Sequence, residues 1–494
     1  MGEIEKQSIK GTIYTYIGVL IGFINTALIF PKIFHIEQIG LLNILISYSL
    51  VFAQISSLGF NNTAIKLFPY FRNEDKKNNG FLFIYLLTAL VGFLLVLVVF
   101  LFIYPYIVNN PNDSSVLLSK YGFYIIPLAF FTLYFNSLDV FSRVLYKSLV
   151  GIFLKEFLVR ILVLVDILMF YFNIITFENF VLLYIVIYSL PAFVIAVQLI
   201  KEGKFNVKPQ LRFLDKELIS AMISVSLFGI IGGFAGVAVV NIDKIMINQM
   251  LGLGNTGIYS IAFYFGALIV IPSRPLIRIT SAYISDSWKN NDIRTIDSIY
   301  RKSVINQTVI GLLLIIGILG NINNIFELLP KEYSKGYYVL VFISFSFLLD
   351  MLIGVSTNII GSSKYYKMQS YFTLLLIVIL FFSNIVFIPK YGIAGAAFAS
   401  LLSKFIINGL KVLFIYLKFK LFPFNGKIII SFLIAMCCYF LSRLLPDIGN
   451  LIVDIFIRSS MITIVFISLI YIFKVSDEVN NKISEFYKLI SKII

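Results

Sequence analysis

Residues 81–104 read FLFIYLLTALVGFLLVLVVFLFIY, twenty-four positions without a charged side chain. As an α-helix this stretch rises about 36 Å, enough to cross the ~30 Å hydrocarbon core of a bilayer. Lipid offers no partner to backbone N–H and C=O groups, so a segment placed there must satisfy them internally, as a helix does. Comparable stretches recur at 11–33, 39–60, 121–145, 152–173, 177–200, 218–242 and 257–275, then at 303–325, 337–360, 370–388, 392–417, 427–445 and 451–473. The composition agrees: 59% of the 494 residues are hydrophobic, 13% are charged, and the mean hydropathy is +0.94. The expected fold class is an all-α polytopic membrane protein of about fourteen transmembrane helices.

The basic residues orient these spans, because lysine and arginine concentrate on the cytoplasmic side. With the N-terminus in the cytoplasm, thirty of the forty lysines and arginines face inward. Seven lie at the outer side (Lys32, Lys120, Lys244, Lys331, Lys335, Lys390, Arg443) and three within helices (Arg160, Lys404, Arg458). A missed span would invert everything after it, so the count and the orientation support each other. Both termini are expected in the cytoplasm of a bacterium, at its inner membrane, and the first apolar segment is too long for a cleavable signal. The longest polar connections, 61–80, 201–217 and 278–302, are all cytoplasmic.

The net charge of +15 is then a cytoplasmic rim drawn to anionic headgroups, with no need of nucleic acid. Cys437 and Cys438 are adjacent within one span and frame no disulfide. A single histidine, His35, excludes a multi-histidine metal site. No G-x-x-x-x-G-K-[ST] loop, nucleophile elbow or paired-carboxylate motif occurs, so neither an enzyme activity nor a cofactor is expected.

A repeat runs through the chain. Gly40 in IEQIGLLN (36–43) and Gly257 in LGNTGIYS (253–260) occupy matching places where a helix begins after a short outer turn, 217 residues apart. Glycine permits such a turn. An even number of spans between them keeps both halves in one orientation, and transporters built from parallel repeats bind substrate between the halves.

The segment IPKYGIAGAAFAS (388–400), with Pro389, Gly392 and Gly395, resembles an outer turn of bacterial polysaccharide flippases. Asn241 to Ile247, NIDKIMI, is similar to that family's D-K-x-x-I segment, and the Gly40 and Gly257 turns suit its hairpins. The likeness runs from residue 9 to about 474. It points to the polysaccharide-transporter branch of the multidrug/oligosaccharidyl-lipid/polysaccharide exporter superfamily, which includes the Wzx-type O-antigen flippases. The resemblance implies a six-helix lobe at 1–200, a basic linker at 201–217, a second lobe at 218–417, a helix pair at 418–474 and a cytoplasmic tail at 475–494. It also implies an undecaprenyl-diphosphate-linked oligosaccharide as cargo, moved from the cytoplasmic to the periplasmic leaflet for surface polysaccharide such as lipopolysaccharide. Membrane lipids, a polysaccharide polymerase and glycosyltransferases are the implied partners. The alternatives are a cation-coupled multidrug antiporter of the same superfamily, a peptidoglycan-precursor flippase, and a membrane-embedded glycan polymerase, which the short outer connections (the largest about 105–120) disfavour.

Ionisable groups inside spans cost a few kcal/mol or more each, so every one suggests a pair, a cavity or a pathway. Glu156 with Arg160, Asp139 with Arg143 and Asp454 with Arg458 are spaced i, i+4 and can neutralise each other. Asp166, Asp350 and Lys404 lack such a neighbour. Asp350 and Lys404 read either as a cross-helix pair or as a coupling carboxylate and a headgroup contact; Asp166 is a second candidate carboxylate. Arg274 and Arg278, one helical turn apart beside Pro272 and Pro275, suit a diphosphate, because each guanidinium forks onto phosphate oxygens. Lys66 occupies the corresponding end in the first half, and Arg160 joins these as a candidate contact. Asn25, Gln54, Asn136, Asn306 and Gln307 either line a hydrated path or bond between helices. Small residues crowd 229–238 and 392–400, where they allow close packing or a hinge.

Overall fold

The computed structural model describes residues 3–73, 75–109 and 116–481, and every regular element within them is helical. The chain divides into two compact units, Met1–Ser260 and Ile261–Ile494. Parts of two expected segments, 110–115 of the outer connection and 482–494 of the tail, lie outside the described residues.

The N-terminal unit begins with α1 (Lys10–Ile33), α2 (Ile36–Ser56) and α3 (Phe60–Phe71). It continues through α4 (Phe81–Val108), α5 (Leu117–Val144), α6 (residues 149–171), α7 (Phe177–Lys201) and most of α8 (Lys216–Ala267). The C-terminal unit holds α9 (Ser273–Lys289), α10 (Ile293–Gly320), α11 (Ile322–Leu328), α12 (Tyr337–Leu352) and α13 (Ser356–Ser362). It ends with α14 (Lys367–Phe419), α15 (Gly426–Arg443) and α16 (Leu451–Ile472). Among the described residues eleven helices are long and apolar enough to cross a membrane, which makes this a multi-pass membrane protein. The helix α6 is not among them, since it carries Lys155, Glu156, Arg160 and Asp166.

Two helices, α8 at 52 residues and α14 at 53, are broken by a glycine. Gly252 takes φ 84°, ψ 176°, and Gly392 takes φ 60°, ψ −142°, backbone that residues with a Cβ avoid. The chain doubles back at each. Sixteen residues of straight helix would separate Asp243 from Tyr259 by about 24 Å, yet Tyr259 Oη donates to Asp243 Oδ2 at 2.7 Å. Likewise the rings of Phe387 and Phe398 lie 5.1 Å apart across Gly392. The sequence placed the first of these turns at Gly257. The structure places it at Gly252 and leaves Gly257 helical, because only Gly252 meets the positive φ there.

Two stretches read from the sequence as polar connections are partly helical. Residues 60–71 form α3, whose Phe60, Ala64, Phe68 and Phe71 stand near helical spacing and are buried, while Lys66 and Tyr70 face outward. Phe60, Phe68, Phe71, Phe81, Tyr85 and Phe141 form the aromatic heart of this unit's core. The stretch 278–302 is mostly helix: α9 fills its first part, and α10 starts ten residues before the expected 303, capped by Asp292, which accepts from the Thr295 N–H at 3.0 Å. Hydrogen bonds from Thr295 hold the Asp292 carboxyl below its usual range. Conversely the expected span 337–360 is interrupted at Gly354 (φ 54°), which separates α12 from α13.

Candidate functional site: charges within the membrane helices

In the N-terminal unit α1 and α6 run parallel in contact. A Cβ on Gly11 would meet Ile152, one on Gly18 would overlap the Glu156 carbonyl, and one on Gly22 would overlap the Arg160 guanidinium. Further along, Phe34 stacks on Phe170 at 4.9 Å. The Gly18-Val19-Leu20-Ile21-Gly22 spacing lets the two backbones approach closely and leaves a slot for the Arg160 side chain. Arg160 Nη2 lies 2.7 Å from Glu156 Oε2, and Asn25 Nδ2 donates to the Arg160 carbonyl at 2.8 Å. Each helix carries a π-helical segment here, Ile24–Ile29 and Phe153–Leu158, a departure that often marks functional sites. Asp166, two turns on, is 2% exposed, and neither of its oxygens has a hydrogen-bond partner among the described residues.

The repeat becomes a reciprocal contact. A Cβ on Gly40 would overlap the carbonyl of Leu253, and one on Gly257 would overlap the carbonyl of Ile36. Leu253 stands to Ile36 as Gly257 stands to Gly40, each pair 217 positions apart, so the matching glycines serve close approach between α2 and the two limbs of α8. Beside them Lys244 Nζ donates to Asn43 Oδ1 at 3.2 Å. Lys244 was expected at the outer surface; it is 6% exposed, as the polar end of the D-K segment turned inward. Lys66 is exposed on α3. Its neighbour Arg72 donates to Tyr146 Oη at 2.7 Å and to the Val144 carbonyl at 2.8 Å.

In the C-terminal unit Arg274 and Arg278 are exposed on α9. They do not end the preceding membrane helix as expected, because the chain breaks at Ile271–Pro272 and α9 starts afresh at Ser273. The structure brings Asp350 and Lys404 together: Lys404 Nζ lies 2.8 Å from Asp350 Oδ2, and Asn408 Nδ2 donates to Asp350 Oδ1 at 3.0 Å. Gly395 packs under the Phe387 carbonyl, just past the Pro389 to Gly392 turn. Asp139 pairs with Arg143 at 3.1 Å in the N-terminal unit, and in the C-terminal unit Asp454 pairs with Arg458 at the same distance. Of the polar residues, Asn306 Oδ1 accepts from Ser476 Oγ at 2.7 Å, Gln54 Nε2 reaches Ser57 Oγ at 3.4 Å, and Asn136 is half-buried. Gln307 is buried without a hydrogen-bond partner among the described residues.

Sequence reasoning missed Lys411. The charge reading counts it with the cytoplasmic residues, yet it is 9% exposed. Its place seven residues after Lys404 and three after Asn408, on one helical face, was the available signal.

No family model matches the chain. Over 168 residues, 33% of its length, it is 28% identical to the capsular polysaccharide biosynthesis protein CapF of Staphylococcus aureus; the match spans 42% of that relative. The lipid II flippase MurJ in an inward closed conformation superposes with a TM-score of 0.74 at 14% identity, covering 94% of this chain and 98% of the other. An inward-facing multidrug resistance MATE family transporter of the MOP superfamily gives 0.63 at 11% identity, covering 83% and 94%. The fold is that of the MOP-superfamily transporters. A MOP-superfamily transporter from Pyrococcus furiosus, described as having a binding pocket of reverse polarity, also matches, with a TM-score of 0.53 at 11% identity over 85% and 96%.

Proposed function

We propose that this protein is a flippase that carries an undecaprenyl-diphosphate-linked oligosaccharide from the cytoplasmic to the periplasmic leaflet by alternating access, in the synthesis of a surface polysaccharide. The observation that carries the reading is the likeness to the lipid II flippase over nearly the whole of both chains. The partial match to a capsular polysaccharide biosynthesis protein favours a surface glycan over a peptidoglycan precursor. The O-antigen form of the cargo is the narrower version of the same reading.

The same reading takes the chain to cross the membrane fourteen times. The chain doubles back at Gly252 and at Gly392, so the two limbs of α8 and of α14 count separately in this reading, and the charged α6 is the fourteenth. With the positive-inside bias this topology has cytoplasmic termini in a bacterial inner membrane. The lobes 1–200 and 218–417, the linker 201–217 and the pair 418–474 belong to the same proposal. Arg274, Arg278 and Lys66 are the first contacts of an anionic headgroup, the exposed arginines on α9 being unpaired among the described residues. Lys404 and Arg160 are deeper contacts. Asp166 is the stronger coupling carboxylate: a buried carboxylate without a hydrogen-bond donor is costly while charged, so uptake of a proton or cation relieves it. Asp350, already paired, is the weaker one.

The MATE likeness favours a multidrug antiporter as the second reading. Cationic groups buried in the helices oppose it, since a cationic drug would be repelled by them. Purified protein reconstituted in liposomes with an undecaprenyl-diphosphate-linked oligosaccharide decides between them. Glycan that becomes accessible to an enzyme on the opposite face supports the flippase. Absence of such transfer, with drug-driven proton exchange in its place, establishes the antiporter.

A further inference from the structure

Asp350 stands near the C-terminal end of α12 and accepts from Lys404 and Asn408, which belong to the second limb of α14. The Lys404 ammonium also lies 3.9 Å from the centre of the Phe347 ring, whose face attracts a cation. Lys404, Asn408 and Lys411 occupy i, i+4 and i+7 of one limb and therefore one face. Lys411 makes no hydrogen bond or ion pair among the described residues. Two ammonium groups thus share one carboxylate inside a membrane helix, where an uncompensated charge is costly. The cluster is one negative charge short. It is also open on one side, for the Asp350 side chain is 34% exposed and that of Lys404 is 13%.

We propose that Lys404, Asn408 and Lys411 form a receiving site for a phosphate oxyanion, and that Asp350 holds it in the resting protein as a stand-in carboxylate. The anion accepts from the two ammonium groups and the carboxamide, and Asp350 swings toward its exposed side. Lysine suits this role, since an ammonium is a point charge with rotatable donors and can exchange one oxyanion for another without the fixed fork of arginine. Phe347 keeps Lys404 in place during the exchange. The proposal rests on the flippase reading only for the source of the phosphate, the cargo's diphosphate.

The test is calorimetric titration of inorganic pyrophosphate into the full-length protein in nanodiscs at fixed ionic strength. Asp350→Asn removes the stand-in and is expected to tighten binding by about threefold or more; Lys411→Met weakens it by about tenfold, and Lys411→Arg restores it to within about threefold. Asp350→Ser repeats the first arm should the asparagine variant fail to fold. Equal or weaker binding by the folded Asp350 variants, or wild-type binding by Lys411→Met, overturns the proposal. Flipping of the lipid-linked glycan by the same variants separates the two readings. The pyrophosphate pattern without any flipping defeats the flippase and leaves this site standing. Flipping with one pyrophosphate affinity in all variants defeats this site alone.

Discussion

Arg458 with Asp454 and Lys404 with Asp350 are two ion pairs on membrane helices of the C-terminal unit, and they differ in closure. The Arg458 and Asp454 side chains are 6% and 5% exposed. Arg458 meets both oxygens of Asp454 and the Ser442 carbonyl, and Asn324 donates to the same carboxylate. Arg458 also reaches Asp447 at 3.4 Å, and together these contacts tie α16 to the end of α15 and to α11. In the second pair a lysine and an asparagine meet one carboxylate that stays a third exposed, with another lysine alongside. A charge that is fully partnered and sealed holds helices together. A charge that is partnered but open can be offered to something else.

The largest effect should come from the sealed pair. Arg458→Leu leaves Asp454 buried without its cation and is expected to cost about 3–5 kcal/mol, read as a fall in unfolding stability in detergent. Arg458→Leu with Asp454→Leu should regain most of that loss, because removing both partners leaves no buried charge behind. A single variant as stable as wild type would show that the pair does not hold the helices.

Next comes the α1–α6 contact, where two backbones close on each other beside an ion pair whose side chains are 30% and 25% exposed. A Cβ on Gly18 collides with the Glu156 carbonyl, which cannot move without its helix, so Gly18→Ala is expected to cost about 1–3 kcal/mol as overpacking. Gly22→Ala meets only the end of the Arg160 side chain and should cost less, while displacing that guanidinium. Equal losses in a thermal melt would mean that the helices are not in register as described.

These pairs also show where the sequence was legible. Pairing within a helix follows from spacing, so Glu156 with Arg160, Asp139 with Arg143 and Asp454 with Arg458 could be read directly. Asp350 and Lys404 were reachable only as two charges left over in the same half of the chain. Hydropathy found the spans because burial in lipid is nearly independent of tertiary detail. It failed at α3, where an amphipathic helix averages out to a polar connection, and at Lys411, where a lysine near a span's inner end looks like rim charge. The Gly252 turn was hidden for another reason: matching Gly257 to Gly40 found two residues alike in packing, not in backbone angle. The reciprocal overlap with Leu253 and Ile36 depends on how α2 meets α8, which no single segment encodes.

The open pair should contribute little to stability. Asp350→Asn keeps the shape and one hydrogen-bonding oxygen, and with a third of the side chain exposed the loss is expected to stay within about 1 kcal/mol. A loss comparable with that of Arg458→Leu would make the two pairs alike and remove the distinction between holding and offering.

The smallest effect belongs to a pair that is neither sealed nor surrounded by membrane helix. Arg301 Nε lies 2.8 Å from Asp297 Oδ2 at i, i+4 on α10, with side chains 45% and 31% exposed. Water screens such charges and both side chains lose freedom in meeting, so Arg301→Ala is expected to change stability by no more than about 0.5 kcal/mol. Added salt should shrink even that difference, whereas the Arg458→Leu loss, set by burial, should persist in a melt at high ionic strength. If salt instead erased the Arg458 effect, closure from water would not be what separates the sealed pair from the rest.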